Sequence, residues 1–102
     1  AVFLEATTSA PHYKMYAFSD GTLQKPAMLR TPAGGVACHV ELYELSAQAF
    51  ARFIAAIPAP LGLGKIELAD GRRVSGFIGE ADIPAYAHDI SHLADWRKYT
   101  RA

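Results

Sequence analysis

Between Pro58 and Phe77 the chain reads Pro-Ala-Pro-Leu-Gly-Leu-Gly-Lys-Ile-Glu-Leu-Ala-Asp-Gly-Arg-Arg-Val-Ser-Gly-Phe, and this stretch decides which elements can lie on either side of it. Pro58 and Pro60 each lack a backbone donor and have a fixed φ, so a helix entering from upstream must stop there. Gly62 and Gly64 allow backbone angles closed to other residues and admit close approach by another backbone or a ligand. Asp70-Gly71 marks a reversal between two β-type runs. A three-residue loop, Ala69 to Gly71, sets Glu67 opposite Arg73 and Ile66 opposite Val74. Opposite charges and apolar groups then meet across the strands, as cross-strand pairs prefer. A two-residue loop would set Glu67 against Val74 and Leu68 against Arg73. The longer loop is therefore expected, with Gly71 in the left-handed region.

The rest of the chain divides around this connector. Val2 to Thr7 reads as a strand, and Ser9-Ala10-Pro11 as a turn. Tyr13 to Phe18 is a second strand with aromatic residues on both faces, which predicts cover on both sides. Met28 to Arg30 is a short extended piece. Val36 to Leu45 is the longest strand, with Val36, Cys38, Val40 and Leu42 inward and Ala37, His39, Glu41 and Tyr43 on the other face. Ser46 caps a helix from Ala47 to Ile57 whose Phe50, Phe53, Ile54 and Ile57 form one apolar stripe. Asp82 to Tyr86 is a turn or short helix. Ser91 is placed to cap a last helix through Tyr99, with Leu93, Trp96 and Tyr99 buried. Short turns between strands predict an antiparallel, barrel-like α+β architecture.

At 102 residues, this is chain enough for one domain with one core. Ten basic residues balance ten acidic ones, so no net charge draws the chain to nucleic acid or to an acidic membrane. Cys38 is the single cysteine, which excludes an internal disulfide and fits a reducing, cytoplasmic setting. No apolar run reaches the roughly 18 residues of a membrane span. The chain opens at Ala1 inside an apolar run and reads as a fragment of something longer.

Candidate chemistry is sparse. His88 and His92 stand four apart, a spacing that could bind zinc on one helix face, but Asp89-Ile90 looks like a helix entry that leaves His88 outside; no metal is expected. His39 and Glu41 share a strand face. They form an ordinary solvated face unless it lines a cavity, where they could do acid–base work. Cys38 falls in the apolar set, as a buried inert thiol would. Gly62-Leu63-Gly64 precedes a strand and not a helix, the wrong context for a dinucleotide fingerprint. Its amides could hold an anion, or the turn could simply need glycine. Lys25 beside Pro26 could hold a carboxylate. No serine stands in a Gly-x-Ser-x-Gly context.

Several of these segments resemble the C-terminal domain of allophanate hydrolase. Ala10-Pro11-His12-Tyr13-Lys14-Met15-Tyr16-Ala17 is similar to the family's Ala-Pro-x-Tyr-Arg-Leu-Tyr-Ala strand. Lys25-Pro26-Ala27-Met28-Leu29-Arg30 is similar to its Lys-Pro-Gly-Leu-x-Arg. Pro58 to Gly64, Leu68 to Val74 and Gly76-Phe77 resemble its central segment, and Asp89-Ile90-Ser91 with Trp96-Arg97-x-Tyr99 its ending. The resemblance spans essentially residues 1–102 and implies a γ-glutamylcyclotransferase-like fold: a small antiparallel β-barrel with flanking helices, here lacking its first strand.

In such enzymes an amidase domain with a Ser-Ser-Lys triad, absent from this chain, hydrolyses allophanate. The C-terminal domain then assists decarboxylation of the N-carboxycarbamate product. The family's Gly-Ala-His segment has no counterpart here, and the helix end that carries the cyclotransferase glutamate reads Ala55-Ala56-Ile57-Pro58. The implied partners are a small carboxylate, the amidase domain and a further copy of the chain, with no cofactor. Candidate binding residues are Tyr13 as hydrogen-bond donor, Lys25 as carboxylate holder, and Gly62 and Gly64 as lining. The alternative is a structural module without chemistry that packs on the amidase domain or assembles subunits.

Overall fold

A computed structural model describes residues 1–101. The strands are β1 (Val2–Thr8), β2 (Tyr13–Ser19), β3 (Gln24–Arg30), β4 (His39–Glu44), β5 (Leu61–Glu67), β6 (Arg73–Gly79) and β7 (His88–Asp89). The helices are α1 (Ala47–Ala56) and α2 (Trp96–Arg101), with a 3₁₀ turn at Ile83–Ala85. All strand pairs are antiparallel.

The expected barrel does not close. The strands form three sheets, ordered β1-β4, β3-β2-β7 and β5-β6. Single bridges, Ser9 to Leu68 and Tyr13 to Val36, link elements of different sheets. The physical reason lies in the linkers. Pro11 and Pro32 have no amide hydrogen to give a ladder, and the bends around them break pairing where a barrel would need it continuous.

β2 is the centre of the core. Tyr13, Met15 and Ala17 face one buried cluster with Met28, Cys38, Ile66 and Ile90. Tyr16 and Phe18 face a second with Ala27, Leu61 and Ile83. The aromatic residues on its two faces predicted this double cover. Pro26 lies within β3, which extends further back than its Met28–Arg30 portion suggested. The strand tolerates a missing N–H because it is the outer strand of its sheet.

The hairpin follows the predicted register: Glu67 faces Arg73 and Ile66 faces Val74. Gly71 takes φ 93°, and the Asp70 carboxylate accepts the Arg72 N–H at 3.0 Å, which closes the turn. Gly64 and Gly76 stand opposite each other inside this ladder. A Cβ on Gly64 would lie 2.6 Å from Ile78 Cδ1, and one on Gly76 2.7 Å from Ile66 Cδ1. The two glycines make room for those isoleucines to lie across the strands. Gly62 and Gly64 are therefore strand residues, and the loop proper is limited to the Pro58–Pro60 segment.

Two further expectations change. The longest strand breaks at Cys38, where Ser9 Oγ accepts the Cys38 N–H and the Cys38 carbonyl accepts the Ser9 N–H, leaving β4 to begin at His39. The last helix starts at Trp96, not after Ser91. Ala94 has φ 54°, which interrupts any helix from Ser91, and Asp95 Oδ1 accepts the Arg97 and Lys98 N–H groups as the cap. Ser91 Oγ is instead tied to β2, accepting the Met15 N–H at 3.0 Å.

Candidate functional site

Two polar places stand out. The first forms where β2, β3 and the β5–β6 hairpin meet. Tyr13 is buried, and its hydroxyl accepts the Glu67 N–H at 2.9 Å. Arg30 lies opposite Tyr13 in the β2–β3 register, with its guanidinium carbon 5.6 Å from the Tyr13 ring centre. Its Nη1 donates to Tyr13 Oη at 3.4 Å and to Glu67 Oε1 at 3.1 Å. Those bonds, to Tyr13 first and Glu67 second, hold the Arg30 guanidinium above its usual range. Arg73 approaches the same Glu67 oxygen at 3.8 Å. Two guanidiniums thus share one carboxylate, and a unit of positive charge is left unbalanced. Both arginine side chains are more than half exposed, so the charge faces solvent and is open to an anion.

The second place is a concavity of about 590 Å³ between the β1–β4 sheet and α2. His39 and Glu41 do line it, together with Thr7, Asp95, Trp96 and Arg97. Arg97 Nη2 donates to Glu41 Oε2 at 2.5 Å, and Tyr43 Oη donates to Glu41 Oε1 at 2.9 Å. The Glu41 carboxylate pushes the Tyr43 phenol above its usual range. The Arg97 guanidinium faces two carboxylates here, Glu41 and Asp95, the reverse of the two guanidiniums around one carboxylate in the arginine cluster.

The four residues singled out in the sequence do not converge. Tyr13 sits in the arginine cluster. Lys25 faces Phe18 in the same hairpin register, five residues further along and about 17 Å away at ~3.4 Å per residue. Its Nζ lies 3.4 Å from Asp20 Oδ2 in an ion pair closing the β2–β3 turn. Gly62 and Gly64 are ladder residues facing Ile78 and Gly76. Neither lines the concavity described above or the groove of about 600 Å³ beside α1. The β5–β6 hairpin does form a wall of that groove, but an apolar one, through Leu63, Val74 and Phe77. Arg30 and Arg73, which carry the charge, were not singled out. Arg30 ends the Lys-Pro-Ala-Met-Leu-Arg segment, and the Glu67–Arg73 pairing was available from the hairpin register.

Cys38 is buried, and burial pushes its thiol from an ordinary 9.0 up to about 11, against a hydrogen bond with Ser9 that lowers it. That makes it an inert thiol. His88 lies in β7 and His92 in the following turn, so they do not share a helix face. Among the described residues, no group of three histidine, cysteine or acidic side chains could hold a metal ion. No helix among them is long and apolar enough to cross a membrane.

Fold and site together define a small antiparallel α+β domain with an exposed arginine pair over a buried tyrosine. The family model for the allophanate hydrolase C-terminal domain matches residues 1–101. The chain belongs to that family. It is 34% identical over 82 residues to a urea amidolyase of Lachancea kluyveri and 32% identical to one of Saccharomyces cerevisiae, matching 78% of this chain in each case. It spans about 4% of the length of those curated relatives. Among solved structures, Kluyveromyces lactis allophanate hydrolase superposes with a TM-score of 0.91 at 31% identity, covering 98% of this chain and 17% of that one. A uropathogenic E. coli-specific protein superposes with a TM-score of 0.87 at 34% identity, covering 98% of this chain and 76% of that one.

Proposed function

We propose that this domain works beside the amidase domain of a cytoplasmic allophanate hydrolase in urea breakdown, binding a small carboxylate and assisting decarboxylation of N-carboxycarbamate. The observation that carries the reading is the unbalanced positive charge of Arg30 and Arg73 around Glu67, braced by the Tyr13 hydroxyl. Family membership supplies the context: relatives carry the domain as a small part of a urea amidolyase or allophanate hydrolase.

The substrate has a carboxylate at each end of one nitrogen. Arg30 and Arg73 hold the carboxylate that remains. The other leaves as CO₂: its C–N bond breaks, the electron pair goes to nitrogen, and a proton from water completes the carbamate. Fixed cations beside the retained end stabilise charge that moves toward nitrogen. In this reading Tyr13 acts by holding Arg30 and the Glu67 backbone in place. Lys25 in the β2–β3 hairpin and Gly62 and Gly64 in β5 stand apart from the arginine cluster, and in this reading so small a substrate does not touch them.

Malonate, with two carboxylates on one carbon, serves as the probe. Titration followed by amide chemical shifts is expected to move Glu67 and Arg73 at millimolar concentrations. Arg30→Gln should weaken binding about tenfold, the loss of one charge-assisted contact. Amides of Arg30, Glu67 and Arg73 that stay still throughout the titration would refute the site.

A further inference from the structure

The helix α1 has the pattern of a core helix and the exposure of a surface one. None of its residues is buried. Its Phe53 and Ile54 stand beside Leu63 and Phe77 of the hairpin around the groove of about 600 Å³. The Phe53 and Phe77 rings have centres 5.6 Å apart, so one apolar track runs from helix to hairpin.

A polar pair stands at the end of that track. Lys65 and Ser75 face each other in the β5–β6 ladder, next after Leu63 and Phe77 on the same strand face. Lys65 Nζ donates to Ser75 Oγ at 2.9 Å, and Ser75 lines the groove. Among the described residues, no carboxylate lies within ion-pair distance of Lys65. The charged side chains that line the groove are matched inside the chain: Glu41 by Arg97 and Tyr43, Arg72 by Asp70 and Glu5. The side-chain charge left unmatched at this rim is therefore one ammonium, tied to a hydroxyl. That hydroxyl accepts from Lys65 and keeps its own hydrogen to donate.

We propose that the groove binds a carboxylate with an unbranched apolar tail, of the medium-chain fatty acid class. Its head sits on Lys65 and Ser75, and its tail runs along Phe77, Leu63, Phe53 and Ile54. The head group follows from the donors. A carboxylate accepts one hydrogen from the ammonium and one from the hydroxyl, and charge assistance makes the first bond the stronger. The tail follows from the lining. Those four side chains offer only carbon, so a polar tail would lose its water without gaining a partner. Size agrees as well. The volume falls within the roughly 300–1,000 Å³ of small-molecule sites. Ser75 to Phe77 is about 6.8 Å at ~3.4 Å per residue, and Phe53 lies beyond, so the tail has a path of about 12 Å. Arg30 and Arg73 do not line this groove, so the ligand is distinct from the tailless dicarboxylate proposed for the arginine cluster.

Titration of the chain with octanoate below its micelle concentration, followed by amide chemical shifts, tests the proposal. Saturable shifts are expected at Phe53, Ser75 and Phe77. Octanoate should bind about tenfold more tightly than hexanoate, which has two methylenes fewer. Lys65→Gln should weaken octanoate about tenfold and leave octanol, the same tail without the charge, unchanged. Phe53→Ala should narrow the preference for octanoate over hexanoate. Equal binding of the two acids overturns the proposal, as does a Lys65→Gln variant that binds octanoate like the wild type. Shifts confined to Arg30, Glu67 and Arg73 also overturn it, since the head would then sit on the arginine cluster. Malonate reads that cluster separately: octanoate binding lost in Lys65→Gln with malonate binding kept tells the two sites apart.

Discussion

The strand β2 and the helix α1 carry similar loads of large apolar side chains, and they end in opposite surroundings. β2 is covered on both faces: one cluster closes over Tyr13, Met15 and Ala17, the other over Tyr16 and Phe18. α1 has a clean stripe at helical spacing, and Phe53 is half exposed at its centre. The difference teaches what an amphipathic pattern means. It says which side of an element avoids water, but not that the same chain will cover it. For β2 the cover comes from at least four other elements. For α1 it comes only partly, from a hairpin whose own Phe77 is also exposed.

Substitutions on the two sides should therefore differ in size. Ile90→Ala, at a fully buried position packed against Met15, is expected to cost about 2–5 kcal/mol in urea denaturation. A cost under 1 kcal/mol would mean that β2 is no better covered than α1. Tyr13→Phe keeps the ring and strands the Glu67 N–H, which should cost about 1–3 kcal/mol. Ser46→Ala removes the side chain that accepts the Ala49 N–H and should cost about 1 kcal/mol, since capping α1 does not depend on burying it.

The Cys38 thiol adds a smaller effect on the buried side. Its folded value of about 11 lies above its ordinary 9.0, so the protonated form is favoured in the folded state. Its contribution is complete below pH 9 and is lost as pH rises toward 11. The denaturation curves of wild type and Cys38→Ala should accordingly converge over that interval, whatever other groups titrate in both. The smallest effect belongs to α1. Phe53→Ala should change stability by less than about 1 kcal/mol, well under the ~3–5 kcal/mol of a core phenylalanine. A core-sized loss there would erase the contrast.

Where local rules decide, the sequence was readable. Cross-strand charge and size fixed the hairpin register, a serine before an apolar stripe fixed the start of α1, and aromatics on both faces of β2 announced its double cover. Where distant partners decide, it was not. Ser91 had the chemistry of a helix cap and became a tie to Met15, because Asp95 takes the cap and Ala94 turns the chain first. Gly64 was readable as an unusual position, but the need it meets is a cross-strand isoleucine. Barrel closure depended on pairing across proline-bearing bends, which local pattern does not report. The charge around Glu67 follows the same rule: Arg30 and Arg73 come together only through the meeting of two hairpins, which neither segment announces by itself.

The tie between Ser91 and Met15 joins residues 76 positions apart, and Ile90 beside it fills the cluster on one face of β2. On the ribosome, the central strand is made early and waits for these late residues to emerge. Until then Met15 has no Ser91 hydroxyl for its N–H and no Ile90 over its side chain. A chain shortened to end before residue 90 would keep that seam open and lose the cover on one face of its central strand.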